Sequence, residues 1–138
     1  MICDRVKRRI LLIVLSGISV AIVNADDVQA WAFVTSSVGD TPRSTLPATT
    51  QKIWVIFETH GAKRGDKFRA VLIADQAGHI APNSKQSEAT AKLDGDTKDG
   101  GVSFNRPPDH DWPAGDYHVE IYINDQLVTS TKFAVEAK

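Results

Sequence analysis

The chain has 138 residues, with sixteen Lys/Arg against seventeen Asp/Glu, a net charge of −1 with the histidines neutral. That length suffices for one domain with a genuine core and hardly for two. The charges are interspersed without a basic patch, which excludes a nucleic-acid binder and any strong attraction to anionic lipid.

The chain opens on what reads as an export signal. Arg5, Lys7, Arg8 and Arg9 form a basic start, and residues 10–23 form an apolar run broken only by Ser16, Gly17 and Ser19. Val23-Asn24-Ala25 then presents modest side chains where a signal peptidase reads, just ahead of Asp26 and Asp27. The expectation is a signal peptide over 1–25, cut after Ala25, with Val28-Gln29-Ala30 as the alternative site. A membrane anchor competes with this, but a helix over 10–23 rises only about 21 Å against a hydrocarbon core of roughly 30 Å. Cleavage leaves no stable membrane span and places the protein in the periplasm or outside the cell.

The single cysteine, Cys3, falls in the removed segment, and Ile18 stands where a lipobox would need a cysteine. The mature chain then has no disulfide and no thiolate ligand. Without Asp4 and the four early cations, sixteen Asp/Glu face twelve Lys/Arg from Asp26 onward, a net charge of −4. An exported domain of this kind must be held by its core alone.

A first strand is expected over 28–35, followed by a Ser/Thr/Pro-rich loop to residue 51; together these make a leading segment, 26–51, before the main body, 52–138. In that body "KIWVIFE" (52–58) is a continuous β-branched and aromatic run, as suits a strand central to a sheet. "THGAKRGD" is rich in turn residues, and "KFRAVLIAD" (67–75) is the next strand. "EATAKLD" and "GVSFNR" flank "GDTKDG", whose Gly and Asp residues suit a hairpin turn or a loop. Residues 84–93 also have fair helix propensity, so strand and helix both stay open there. "DYHVEIYI" and "LVTSTKFAV" close the chain as alternating strands joined through Asn124-Asp125-Gln126. About seven short strands with frequent turns predict an all-β, Greek-key β-sandwich, with a small barrel as the second choice.

The densest chemistry lies in "DHDWPAGDYHVEIYIND", residues 109–125. Strand period divides it: Tyr117, Val119, Ile121 and Ile123 point inward, while His118, Glu120, Tyr122 and Asn124 point outward. On the last strand Leu127, Phe133 and Val135 fall on one face, and Ser130 and Lys132 on the other. Pro107, Pro108 and Pro113 make the preceding connection extended. Trp112 is placed to cover the open end of the core, with the Tyr117 hydroxyl returning to a loop carbonyl. That leaves His110, His118, Glu120 and Tyr122 as the candidate binding residues.

Sharper chemistry finds little support. Asp109, His110, Asp111 and His118 are suitable metal ligands, but nothing in their spacing fixes three of them on one ion. "DGDTKDG" fails as a calcium loop, because Lys98 holds the fifth position and Asn105 the twelfth. The chain has no Gly-x-Ser-x-Gly elbow and no His-Glu-x-x-His helix, and it carries no cofactor motif. No enzyme is expected. Tyr122, Trp31 and Trp54 are the aromatics placed to be at least partly exposed, the composition of a recognition surface.

Trp112-Pro113, Gly115, Tyr117 and Val119, with Phe133 and Val135 at the end, resemble the closing hairpin of bacterial immunoglobulin-like or fibronectin type III-like domains. Val102 and Phe104, leading to Pro107, resemble the strand entering that corner. The resemblance spans about 52–135, lacks the immunoglobulin cysteine pair, and has Trp-Pro where fibronectin type III corners often carry Leu-x-Pro. It implies an immunoglobulin-like sandwich acting as a binding module, and it carries over no catalytic residue. The expectation is an exported, non-catalytic module for another envelope protein or a cell-surface component. The alternative is a small periplasmic metal- or ligand-binding protein using the 109–118 corner.

Overall fold

Alternation of apolar and polar side chains organises the chain into eight strands: β1 (Gln29–Thr35), β2 (Thr45–Pro47), β3 (Lys52–His60), β4 (Arg64–Ala77), β5 (Ser84–Asp94), β6 (Gly100–Asn105), β7 (Gly115–Ile123) and β8 (Gln126–Glu136). The computed structural model describes residues 28–96 and 100–137. The export signal over 1–25 lies outside the described residues, as do residues 97–99, which include Lys98. The alternative cleavage residue, Ala30, is buried within β1.

The strands form two sheets, a three-stranded one ordered β1-β3-β6 and a five-stranded one ordered β2-β8-β7-β4-β5. Every pairing is antiparallel except β2 with β8. Only β4–β5 and β7–β8 are consecutive strands of one sheet; every other connection switches sheets. The stretch between β5 and β6 is therefore a crossover, not a hairpin turn. β5 needs β4 to cover its backbone, and β6 needs β3.

The core forms between the two inner faces. Ile53, Val55 and Phe57 of β3 face Phe68, Ala70 and Leu72 of β4 and Tyr117, Val119, Ile121 and Ile123 of β7, all buried. Phe57 and Phe68 stack at 3.9 Å between centroids, 18° from parallel. Gly100 permits this, because a Cβ there would overlap the Phe57 ring.

Two local features depart from the sequence pattern, and a third resolves an open choice. The 36–51 segment is not simply a loop: Leu46 of β2 is fully buried, and backbone bonds Ala134 N–H to Ser44 O (2.9 Å) and Ala48 N–H to Glu136 O (3.0 Å) fasten it to β8. Residues 84–94 are strand throughout, because pairing with β4 and inward burial of Leu93 outweigh helix propensity. Across from Ile121 and Tyr122 of β7, β8 carries one extra residue between Thr129 and Leu127, so Val128 packs against the core and Leu127 turns outward, 54% exposed. Leu127 does not share the face of Phe133 and Val135; a bulge adds one residue and inverts the phase.

The corner between β6 and β7 is built as the sequence suggests. Trp112 is 5% exposed and donates its indole N–H to Thr50 O at 2.9 Å, while its backbone N–H reaches Ala48 O at 3.0 Å. The Tyr117 hydroxyl donates to Pro113 O at 2.6 Å, and burial pushes its pKa up to about 12. Gly115 has a positive φ and sits so close to the Gln76 carbonyl that no side chain fits.

Candidate functional site

Antiparallel pairing of β4 with β7 sets three rows of side chains on the outward face of the five-stranded sheet: Arg69 beside Tyr122, Val71 beside Glu120, and Ile73 beside His118. His118 lies between two carboxylates. Its Nδ1 is 2.7 Å from Asp75 Oδ1 and its Nε2 is 3.0 Å from Glu120 Oε2. Ionised carboxylates only accept hydrogen bonds, so both bonds form together when the ring is protonated as an imidazolium, with each ring nitrogen donating. Burial alone would lower the His118 pKa; the bonds to Glu120 and Asp75 outweigh it and hold the value above the ordinary one.

The network continues along β7 and across to β5. Tyr122 donates its hydroxyl to Glu120 Oε1 at 2.7 Å; with the bond from His118, this holds the Glu120 carboxyl below its usual pKa, while the Tyr122 phenol is held above its own. The Arg69 guanidinium lies 4.2 Å from the Tyr122 ring centroid, a cation–π contact. It also sits 3.8 Å from Glu88 and 3.7 Å from Asp125. Beside His118, an open cleft of about 560 Å³ is lined in part by Asp75, Asn83, Asp116 and Lys132.

Three of the four candidate residues, His118, Glu120 and Tyr122, thus come together. His110 stays apart on the 106–114 connection, where its Nδ1 is 2.7 Å from Asp111 O and its Nε2 is 3.7 Å from Asp109. Asp111 is held by Arg106 at 2.9 Å. His110 and Trp112 instead line a cleft of about 260 Å³ with Ile80 and Pro107. The two ring nitrogens of His118 point in opposite directions, so Asp75 and Glu120 cannot meet on one ion with it. Among the described residues, no group of three or more His, Cys, Asp or Glu is arranged to hold a metal. Asp75 and Arg69 escaped the sequence reading, since only the β4–β7 register reveals them.

The outward face of the three-stranded sheet has the opposite character. Trp31 is 53% exposed, and Phe33, Trp54 and Ile56 lie half-buried on the same face through the β1–β3 register. His60 meets the Trp31 ring edge-on at 5.1 Å, and the Lys52 ammonium is 5.9 Å from the Trp54 ring. Gly101 of β6 adds no side chain beside Ile56 and Trp54, leaving room for both.

No protein-family model matches the chain, and no curated protein matches its sequence. Among solved structures, an immunoglobulin-like protein from Pseudomonas aeruginosa aligns over 82% of this chain and 100% of its own, at 15% identity and a TM-score of 0.53. The fold is immunoglobulin-like. A Pseudomonas fluorescens alkylpurine DNA glycosylase bound to DNA matches this immunoglobulin-like sandwich at 13% identity and a TM-score of 0.51, over 80% of this chain but 30% of the enzyme. A CARDB domain from Pyrococcus furiosus, in complex with di-metal ions, gives 11% identity and 0.48 over 81% and 88% of the two chains. At these identities the likeness is one of fold.

Proposed function

We propose that the protein is an exported, non-catalytic immunoglobulin-like module that binds another envelope protein or a cell-surface component through the outward face of its three-stranded sheet. The observation that carries this reading is Trp31, more than half exposed on the face it shares with Phe33, Trp54 and Ile56, with Glu58 directly across from it. Tryptophan is enriched at binding hot spots because it buries a large, stiff apolar surface on contact. The hydrogen-bonding groups of His118, Glu120 and Tyr122 are taken up by one another and by Asp75, which makes that face a brace across β4 and β7.

A photo-reactive side chain placed at Trp31 and, separately, at Lys132 on the other sheet distinguishes the two faces in living cells. A defined cross-linked product from position 31 and none from position 132 is the expected result. Equal labelling at both positions, or labelling only at 132, contradicts the assignment of the binding face.

A further inference from the structure

The five-stranded sheet has one long open edge. β5 ends the strand order β2-β8-β7-β4-β5, and its eleven residues make it the longest of the four edge strands. Among the described residues, its backbone pairs with β4 and with no other strand. Such an edge presents a row of free N–H and C=O groups, a template for one more strand. No proline or glycine interrupts it, and its one irregularity, a register shift at Gln86, leaves Glu88 to Lys92 in unbroken pairing with β4.

The side chains say which strand fits. The β4–β5 register places Glu88, Thr90 and Lys92 on the outward face, opposite Val71, Arg69 and Lys67, and turns Ala89, Ala91 and Leu93 inward. We propose that β5 pairs antiparallel with β5 of a second copy about a two-fold axis at Thr90, joining two five-stranded sheets into one. An axis normal to the sheet keeps outward residues opposite outward residues, so only registers centred on a residue are available. Centred on Thr90, Glu88 of each copy faces Lys92 of the other, Ala89 faces Ala91, and the two threonines meet at the axis. Centred on Glu88 or Lys92, like charges meet; centred on Ala91, Glu88 faces Asp94; centred on Ala89, no ion pair forms. Of the registers that pair at least five residues of each strand, this one alone joins opposite charges without a like-charge clash. The charged residues that discourage indiscriminate edge pairing thereby select one partner and one alignment.

Sedimentation of the chain, as the cell processes it, over a concentration series tests this. A reversible dimer is expected. Glu88→Lys and Lys92→Glu should each weaken it roughly tenfold, since two attractive pairs per dimer become repulsive. The double swap should restore it. In a Cys3→Ser background, Thr90→Cys should give a disulfide-linked dimer on mild oxidation, because the axis brings the two positions directly opposite. A monomer throughout the series overturns the proposal, as does a dimer indifferent to the single swaps, or a Thr90→Cys chain that never cross-links. None of these outcomes bears on the Trp31 face, which lies on the other sheet.

Discussion

Trp112 shows how one side chain closes the end of a sandwich. Its ring covers the core while its indole N–H and backbone N–H both bond to the 48–50 segment, so it fastens the corner to the segment linking β2 to β3. Trp112→Ala should cost about 3 to 5 kcal/mol, a large part of a typical domain's stability. Chemical denaturation measures this, and a loss under about 1 kcal/mol would mean the corner does not depend on the ring. At His118 the consequence appears in pH dependence. Its folded pKa is raised, so its contribution is fully present below the unfolded value near 6.5 and is lost as pH rises through the folded value. Glu120, with a lowered folded pKa, contributes above the ordinary carboxylate value and loses that contribution as pH falls through the lowered one. The brace is therefore strongest at mildly acidic pH, between those limits. Melting temperature followed from pH 5 to 8 should decline on the alkaline side in the native chain, and His118→Gln should flatten that limb. An unchanged slope in the variant would remove His118 as its source.

At the scale of elements, β2 is the least obvious strand and a telling one. Three residues around a proline carry no period, and their parallel partner β8 lies far along the chain, so nothing local announces them. Yet Leu46 is wholly buried, and Leu46→Ala should cost about 2 to 5 kcal/mol. A cost within about 0.5 kcal/mol, as for a surface site, would show that the segment is loosely attached. Legibility followed the same physics elsewhere. β3 was readable as a continuous β-branched and aromatic run, and β7 because one buried face imposes a period of two on its nine residues. The bulge in β8 was not, since an extra residue changes phase without changing composition. β5 was ambiguous because alanine and lysine favour helix in isolation, and only the neighbouring β4 decides. In the candidate site, the outward phase of His118, Glu120 and Tyr122 was legible, but Asp75 and Arg69 belong to another strand. No pattern within β7 could name them.

The whole molecule presents two unlike faces on one sandwich. Over the five-stranded sheet, charges and hydrogen bonds close on one another from Asp75 to Glu88. Over the three-stranded sheet, Trp31 lies open on a face it shares with half-buried Phe33, Trp54 and Ile56, and with Lys52, Glu58 and His60. An exposed tryptophan in such company marks an interaction surface far more readily than a satisfied ionic ladder does. The immunoglobulin-like fold supports either face equally, so the distinction rests on side chains and not on topology. The measurement that bears most directly on this account is the affinity of the purified partner for the native chain and for Trp31→Ala, with melting temperature followed in parallel. Binding should be at least about thirtyfold weaker in the variant, the scale of a hot-spot tryptophan, at an essentially unchanged melting temperature. Equal affinity in the two chains would contradict it.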